Sequence, residues 1–253
     1  MVNNLKVFVF SPTGSSLKLA KRFAKNFENS DIIDLTIKDK INMKVENATA
    51  AFVFPVYAGR VPAVFIERLK EIKGHNSDAI IIAVYGNRHF DDAILEMRDI
   101  AEGLGFKIIA AAAFVAEHSY SQKLAGGRPN TEDLEIMDAF ADSITEFIEL
   151  EEPELPGNRP YRDGVGESTW APYPTDSCIH CGVCGMVCPV GIINPDGSLP
   201  KENIPTCLHC LACVKRCPIH VRIADFEQFT DLIHHLEENF QYPIKAPEIF
   251  INL

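Results

Sequence analysis

The sequence predicts an α/β chain: a doubly wound, five-stranded parallel sheet followed by a second, smaller domain. Three observations predict it. Through residue 150, short apolar runs alternate with amphipathic stretches, the pattern of strands joined by helical crossovers. From Glu151 to Asp176 the chain is rich in Pro and Gly, which marks a domain boundary. All eight cysteines then fall in one forty-residue window, Cys178 to Cys217.

The expected strands are Lys6–Phe10, Ile32–Ile37, Ala51–Phe54, Ile80–Tyr85 and Ile108–Val115, runs of mostly Val, Ile, Phe and Ala. Continuous apolar runs fit strands buried on both faces, as in a parallel sheet. The expected helices are Ser16–Phe27, Pro62–Ile72, Asp92–Gly103 and Glu132–Leu150. In the last, Leu134, Met137, Phe140, Ile144, Phe147 and Ile148 recur at helical spacing and form one apolar stripe. Only Lys38–Ala48 carries a weak pattern, so the second crossover reads as a short helix or a loop. Beyond the cysteines, Ile223, Phe226, Phe229, Ile233, Leu236 and Phe240 define a further amphipathic helix. That helix and the tail Ile244–Leu253 are expected to brace the small domain or to dock on the large one.

Composition narrows the function. Of 253 residues 47% are apolar, yet no run approaches the ~18 residues of a membrane helix; the longest is Ile108–Ala116. The formal charge is −11, with net −6 over residues 1–152 and −5 over 153–253, which argues against nucleic acid as a partner. An acidic face steers encounters with basic partners, or serves solubility alone. Met1–Phe10 lacks signal-peptide anatomy, so a cytoplasmic location is expected.

On a doubly wound sheet, ligands bind beyond the carboxyl ends of the strands. The first strand runs into Ser11-Pro12-Thr13-Gly14-Ser15-Ser16 and then a helix. Backbone N–H groups at a helix start favour a phosphate, and the hydroxyls add donors; an ordinary capped helix start is the plainer reading. Neither a lysine-bearing triphosphate loop nor G-x-G-x-x-G is present. Pro55–Pro62 follows the third strand and Tyr85–Asp92 the fourth, each setting an aromatic beside a glycine. Such loops suit a flat ring, with core packing the lesser alternative for Tyr57 and Tyr85.

Together these three segments resemble the flavodoxin family over roughly residues 1–150. The resemblance implies FMN, its phosphate cradled by Ser11, Thr13, Gly14, Ser15 and Ser16. Tyr57, Ala58, Gly59, Tyr85, Gly86, Asn87 and Asp92 would then line the isoalloxazine ring. After the fifth strand, Glu117-His118-Ser119-Tyr120 and the glycine-rich Ala125–Pro129 depart from a minimal flavodoxin. The latter reads as a cofactor cover, a partner site or a plain connection.

The cysteines form two copies of C-x2-C-x2-C-x3-C-P, offset by 29 positions. Cys178, Cys181, Cys184, Cys188 and Pro189 make the first; Cys207, Cys210, Cys213, Cys217 and Pro218 make the second. Soft thiolates in this run suit iron–sulfur clusters. Structural zinc needs neither the third cysteine nor the C-P, and a disulfide framework needs an oxidising compartment. The fourth cysteine is carried away from the turn by a proline that cannot continue it. The pattern resembles bacterial two-cluster ferredoxins, where that cysteine ligates the other cluster. The resemblance implies one 4Fe–4S cluster on Cys178, Cys181, Cys184 and Cys217, and a second on Cys207, Cys210, Cys213 and Cys188, in a small α+β domain. His180 and His209 hold the same place in both copies, and a hydrogen bond or surface exposure is expected there.

The expected organisation is therefore 1–150 flavin-binding, 151–175 connector, 176–222 cluster-bearing and 223–253 C-terminal helix and tail. Trp170, Tyr161 and Tyr173 make the connector too aromatic to run free. The chain as a whole resembles a flavodoxin–ferredoxin fusion. That resemblance implies electron transfer between two 4Fe–4S clusters, FMN and external redox proteins. The alternatives are a flavin-dependent reductase of a quinone, oxygen or small organic acceptor, and a redox-sensing or dedicated docking module. Oligomeric state is not legible.

Overall fold

Alternate side chains of the first strand, β1 (Leu5–Val9), enter opposite layers: Val7 and Val9 face one side, Phe8 the other. In the computed structural model, which describes residues 4–37, 41–75, 77–146 and 150–252, this alternation builds a two-sided core. The chain continues through α1 (Ser15–Ala24), β2 (Ser30–Asp34), β3 (Met43–Lys44), β4 (Thr49–Pro55), α2 (Ala63–Leu69) and β5 (Ile72–Lys73). Then come β6 (Ser77–Tyr85), α3 (Ala93–Gly103), β7 (Phe106–Val115) and α4 (Thr131–Glu146).

Five strands run parallel in the order β2-β1-β4-β6-β7, the flavodoxin-like variant of the doubly wound sheet. On one face Phe8, Phe10, Phe52 and Phe54 share a core with Phe65 of α2 and with α3; on the other Val7, Val9 and Val53 share one with Phe23 of α1 and Phe140 of α4. Each of these phenylalanines contributes roughly 1.5–3 kcal/mol by burial.

The expected elements shift where local chemistry intervenes. β2 ends at Asp34 rather than Ile37, because Thr36 N donates to Asp34 Oδ1 at 2.8 Å and turns the chain out of the ladder. It is an edge strand, so Ile32 stays partly exposed. Among the described residues of the second crossover there is no helix; β3 pairs with β5 in a small separate sheet, and 38–40 lie outside the described residues. α2 stops at Leu69, since Ile72 is drawn into that pairing. Phe147 and Ile148 of the expected stripe and Leu253 of the tail also lie outside the described residues.

Beyond the connector come β8 (Tyr173–Pro174), α5 (Val183–Met186), a 3-10 turn over Lys201–Thr206, α6 (Ala212–Lys215) and β9 (Arg222–Ile223). The long helix α7 (Glu227–Phe240) and β10 (Glu248–Ile251) follow. Ile223, expected on the last helix, instead pairs with Tyr173 in the β8–β9 ladder. The tail does more than brace: β10 adds a sixth strand, antiparallel, to the free edge of β7. An uncovered edge would present a row of unpaired backbone groups. The connector packs as well, with Trp170 against Phe226 and Phe229 at 5.1 and 4.8 Å between centroids. No helix among the described residues is long and apolar enough to cross a membrane.

Candidate functional site

The two cysteine motifs share one local geometry. His180 and His209 both adopt a left-handed backbone, with φ of 53° and 51°, a region where His is among the better tolerated non-glycine residues. In the first copy this turn aims the His180 N–H at Cys178 Sγ, 3.4 Å away; in the second the His209 backbone likewise bonds Cys207. A left-handed residue, Gly182 or Leu211, then starts the one-turn helix of each copy. The histidine rings differ in use. His180 Nδ1 bonds the Asp196 carbonyl at 2.9 Å. His209 stacks on Trp170 at 3.8 Å and 10°, with its Nε2 2.8 Å from the Trp170 carbonyl oxygen.

Cys178, Cys181, Cys184 and Cys217 line one small chamber, and Cys188, Cys207, Cys210 and Cys213 line another. Each fourth cysteine thus joins the other copy's chamber. The wall of the first passes so close to Gly197 that a Cβ there would stand 3.4 Å from Cys184 Sγ. The second is caged by Ile192, Ile193 and Leu199. Among the described residues no three His, Cys, Asp or Glu side chains are grouped to hold a single metal ion; the sulfurs ring a space.

Burial pushes the Cys207 thiol up to about 11 and Cys210 up to about 12. A metal centre held by these sulfurs would have to displace their protons, which would tie loading to pH. Cys217 goes the other way: burial raises it, but the N–H groups of Val221, Ile219, Arg222 and His220 outweigh burial and favour the thiolate. Sulfurs ringed by apolar walls and met by backbone donors fit an iron–sulfur cluster.

A cavity of about 540 Å³ opens at the carboxyl ends of β1, β4, β6 and β7. Ser11, Thr13, Ser15 and Ser16 line it from the loop before α1, Tyr57, Ala58 and Gly59 from the loop after β4, and Tyr85 and Gly86 from the end of β6. The N-cap of α1 is Gly14, φ 99°, which has no side chain to cap with; the helix start keeps donors free for an anion. Ser11 Oγ accepts from Leu17 N at 2.9 Å. Tyr85 Oη is buried and without a partner among the described residues, and burial holds this phenol far above its ordinary range. Tyr85 belongs to the cavity wall, but its hydroxyl is closed off inside the protein, with Glu248 and Arg128 the charges that act on it. Gly59 and Gly86 are required by protein neighbours, since a Cβ on either would collide with Asp91 or His118.

Three expected residues stand outside the cavity wall. Gly14 forms the turn, with Arg216 Nη2 3.6 Å from where its Cβ would be. Asn87 is buried and ties down the tail: Nδ2 donates to Phe240 O at 2.6 Å and Pro243 O at 3.2 Å, and Oδ1 accepts from Lys245 N at 2.9 Å. Asp92 fastens the connector, accepting from Asn158 N at 2.8 Å and Arg162 N at 2.7 Å. Burial raises this carboxyl, but those donors prevail and hold it below the usual range. The Ala125–Pro129 loop is absent from the wall too; Lys18 Nζ holds its Pro129 carbonyl at 2.6 Å, and Arg128 pairs with the buried Asp133.

The sequence reading missed the roof. Leu232, Leu236 and Phe240 of α7, Arg162 and Val165 of the connector, and Leu208 and His209 of the second cysteine motif close the cavity from above, with His118 and Tyr120 at the side. The apolar stripe of α7 was visible, but not what it covers. Leu208 lines both this cavity and the second cysteine chamber. Tyr57 and Tyr120, also on the cavity wall, are raised first by burial and then by the nearby Cys210.

Residues 173–228 match the 4Fe-4S dicluster domain family. A search of the curated proteins returns no match. Among solved structures, the chain is similar to oxidised Flavodoxin 1 from Bacillus cereus, at 14% identity and TM-score 0.44, over 58% of this chain and 100% of that one. It is also similar to a Fusobacterium nucleatum flavodoxin bound to flavin mononucleotide, at 13% identity and TM-score 0.40, over 57% and 98%. Likeness this remote carries no weight for function, and the topology stands on its own strand order.

Proposed function

We propose that this chain, a flavodoxin-like α/β domain joined to a 4Fe–4S dicluster domain, is a cytoplasmic electron-transfer flavoprotein. It would hold FMN in the cavity and two 4Fe–4S clusters in the cysteine chambers. The supporting observation is Leu208, one side chain that walls both the cavity and the chamber of Cys188, Cys207, Cys210 and Cys213. When bound, the clusters supply one-electron chemistry and FMN both one- and two-electron chemistry.

The protein's own residues set the order of the centres. The inner chamber, that of Cys188, Cys207, Cys210 and Cys213, is walled by the buried Ile192, Ile193 and Leu211. The outer chamber reaches the surface at the exposed Cys181, amid the exposed Ile179, Met186 and Ile219. External redox proteins would exchange electrons at that outer edge, and the −11 charge of the chain favours basic ones. Ser11, Thr13, Ser15 and Ser16 would hold the phosphate, and Tyr57, Tyr85 and Gly86 the ring.

The test is anaerobic reconstitution of the full chain, followed by stopped-flow reduction. The proposal expects about eight iron atoms and one FMN per chain, with flavin and clusters reduced by a one-electron protein donor. Two zinc ions and no flavin would refute it. Saturable turnover of a quinone or a small organic acceptor would make it an enzyme instead.

A further inference from the structure

Arg222 is a buried cation, 3% exposed, and it lies on the wall of both cysteine chambers. Nη1 donates to the Gly197 carbonyl at 2.8 Å and reaches to 3.6 Å from Cys184 Sγ of the outer chamber. Nη2 donates to the Pro172 carbonyl at 2.8 Å. Nε is buried with no hydrogen-bond partner, and among the described residues no carboxylate pairs with the guanidinium. Its charge also acts on Cys213 and Cys207 of the inner chamber.

A buried charge without a counter-charge is expensive. The backbone carbonyls orient this one, but they carry no net charge to oppose it. Among the described residues, the groups it faces that become anionic are the cysteine sulfurs of the two chambers, which a ligated cluster would hold as thiolates. The sequence repeat sharpens the point. The 29-residue offset sets Ile193 at the matching place of the first copy, an apolar residue on the inner wall. The internal symmetry of the two motifs is thus broken by one charge, at the partition between the chambers.

We propose that Arg222 is a fixed cation shared by the two clusters, raising the reduction potential of both. The inference rests on the cluster reading above. Each cluster that accepts one electron from an external reductant gains one negative charge and no proton, and the guanidinium attracts that added charge from a position common to both. A cation bound to the partition by two carbonyls cannot relax toward one cluster at the expense of the other.

The test is an EPR-monitored dithionite titration of the full, reconstituted chain, comparing wild type with R222Q, R222M and R222K. In R222Q and R222M both clusters should become harder to reduce. The reduced-to-oxidised ratio at a fixed potential should fall at least tenfold for each, about 59 mV for a one-electron couple, with iron content unchanged. R222K, which keeps the charge, should fall less than either. Wild-type potentials in the neutral variants, or a shift confined to one cluster, overturn the proposal. Loss of iron from both neutral variants also overturns it, by assigning Arg222 to building the chambers. A wild-type chain with fewer than about eight iron atoms would instead refute the cluster reading itself, before any variant is compared.

Discussion

Replacing Asn87 with Ala should release the C-terminal tail from the large domain. The side chain is 1% exposed and makes three hydrogen bonds of 2.6–3.2 Å, to Phe240 O, Pro243 O and Lys245 N. Alanine leaves two carbonyls and an N–H without that partner, at roughly 1 kcal/mol each, more where water cannot reach them. Asn87 also sits at φ 63°, where Ala is disfavoured by about 1 kcal/mol relative to Asn. The expected loss is therefore about 3–4 kcal/mol. N87G separates the two parts, because glycine tolerates the backbone but makes none of the bonds; it should lose about 3 kcal/mol. The assay is urea unfolding read by the single tryptophan, Trp170, which packs on α7. Amide exchange over Ala110–Ala113, the partners of β10, would run alongside. A loss below about 1 kcal/mol, well short of three hydrogen bonds, with exchange there unchanged would refute the reasoning.

Tyr85→Phe should stabilise the protein. Removing the buried, unpartnered hydroxyl should raise stability by about 1 kcal/mol, read by urea midpoint; a destabilised chain would refute the orphan assignment. Stability should also depend on His118, which burial, aided by Lys215 and Arg88, pushes down to about 4. The unfolded chain takes its proton near 6.5 while the folded chain resists. Its contribution is thus constant above pH 6.5 and lost as pH falls toward 4, by about 3 kcal/mol at most. His118→Gln should flatten that part of the stability profile, and an unchanged slope would count against it.

The parallel sheet was legible because strands buried on both faces leave continuous apolar runs, as Ile80–Tyr85 and Ile108–Val115 do. The cysteine spacing was legible because each one-turn motif is local. What escaped depends on partners distant in sequence. Asn87 and Asp92 occupy loop positions that suit a ring, yet the tail and the connector, over sixty residues further on, claim their side chains. β10 reads as an undistinguished tail, because an edge strand needs only a partner with free backbone groups. Arg222 looks like any charged residue after a Cys-Pro turn until the chambers close on either side of it.

The return of β10 to β7 has a consequence for biosynthesis. The strand that completes the sheet leaves the ribosome after both cysteine motifs. Domains form as they emerge, N-terminal first, so the sheet waits with its β7 edge open while the cysteine segment is made. Between the cysteines and β10 lies α7, whose Leu232, Leu236 and Phe240 cover the cavity. A chain truncated before Glu248 would retain every cofactor ligand named here and yet leave the β7 edge uncovered. The strand works as a latch that can shut only once the cysteine segment has been made.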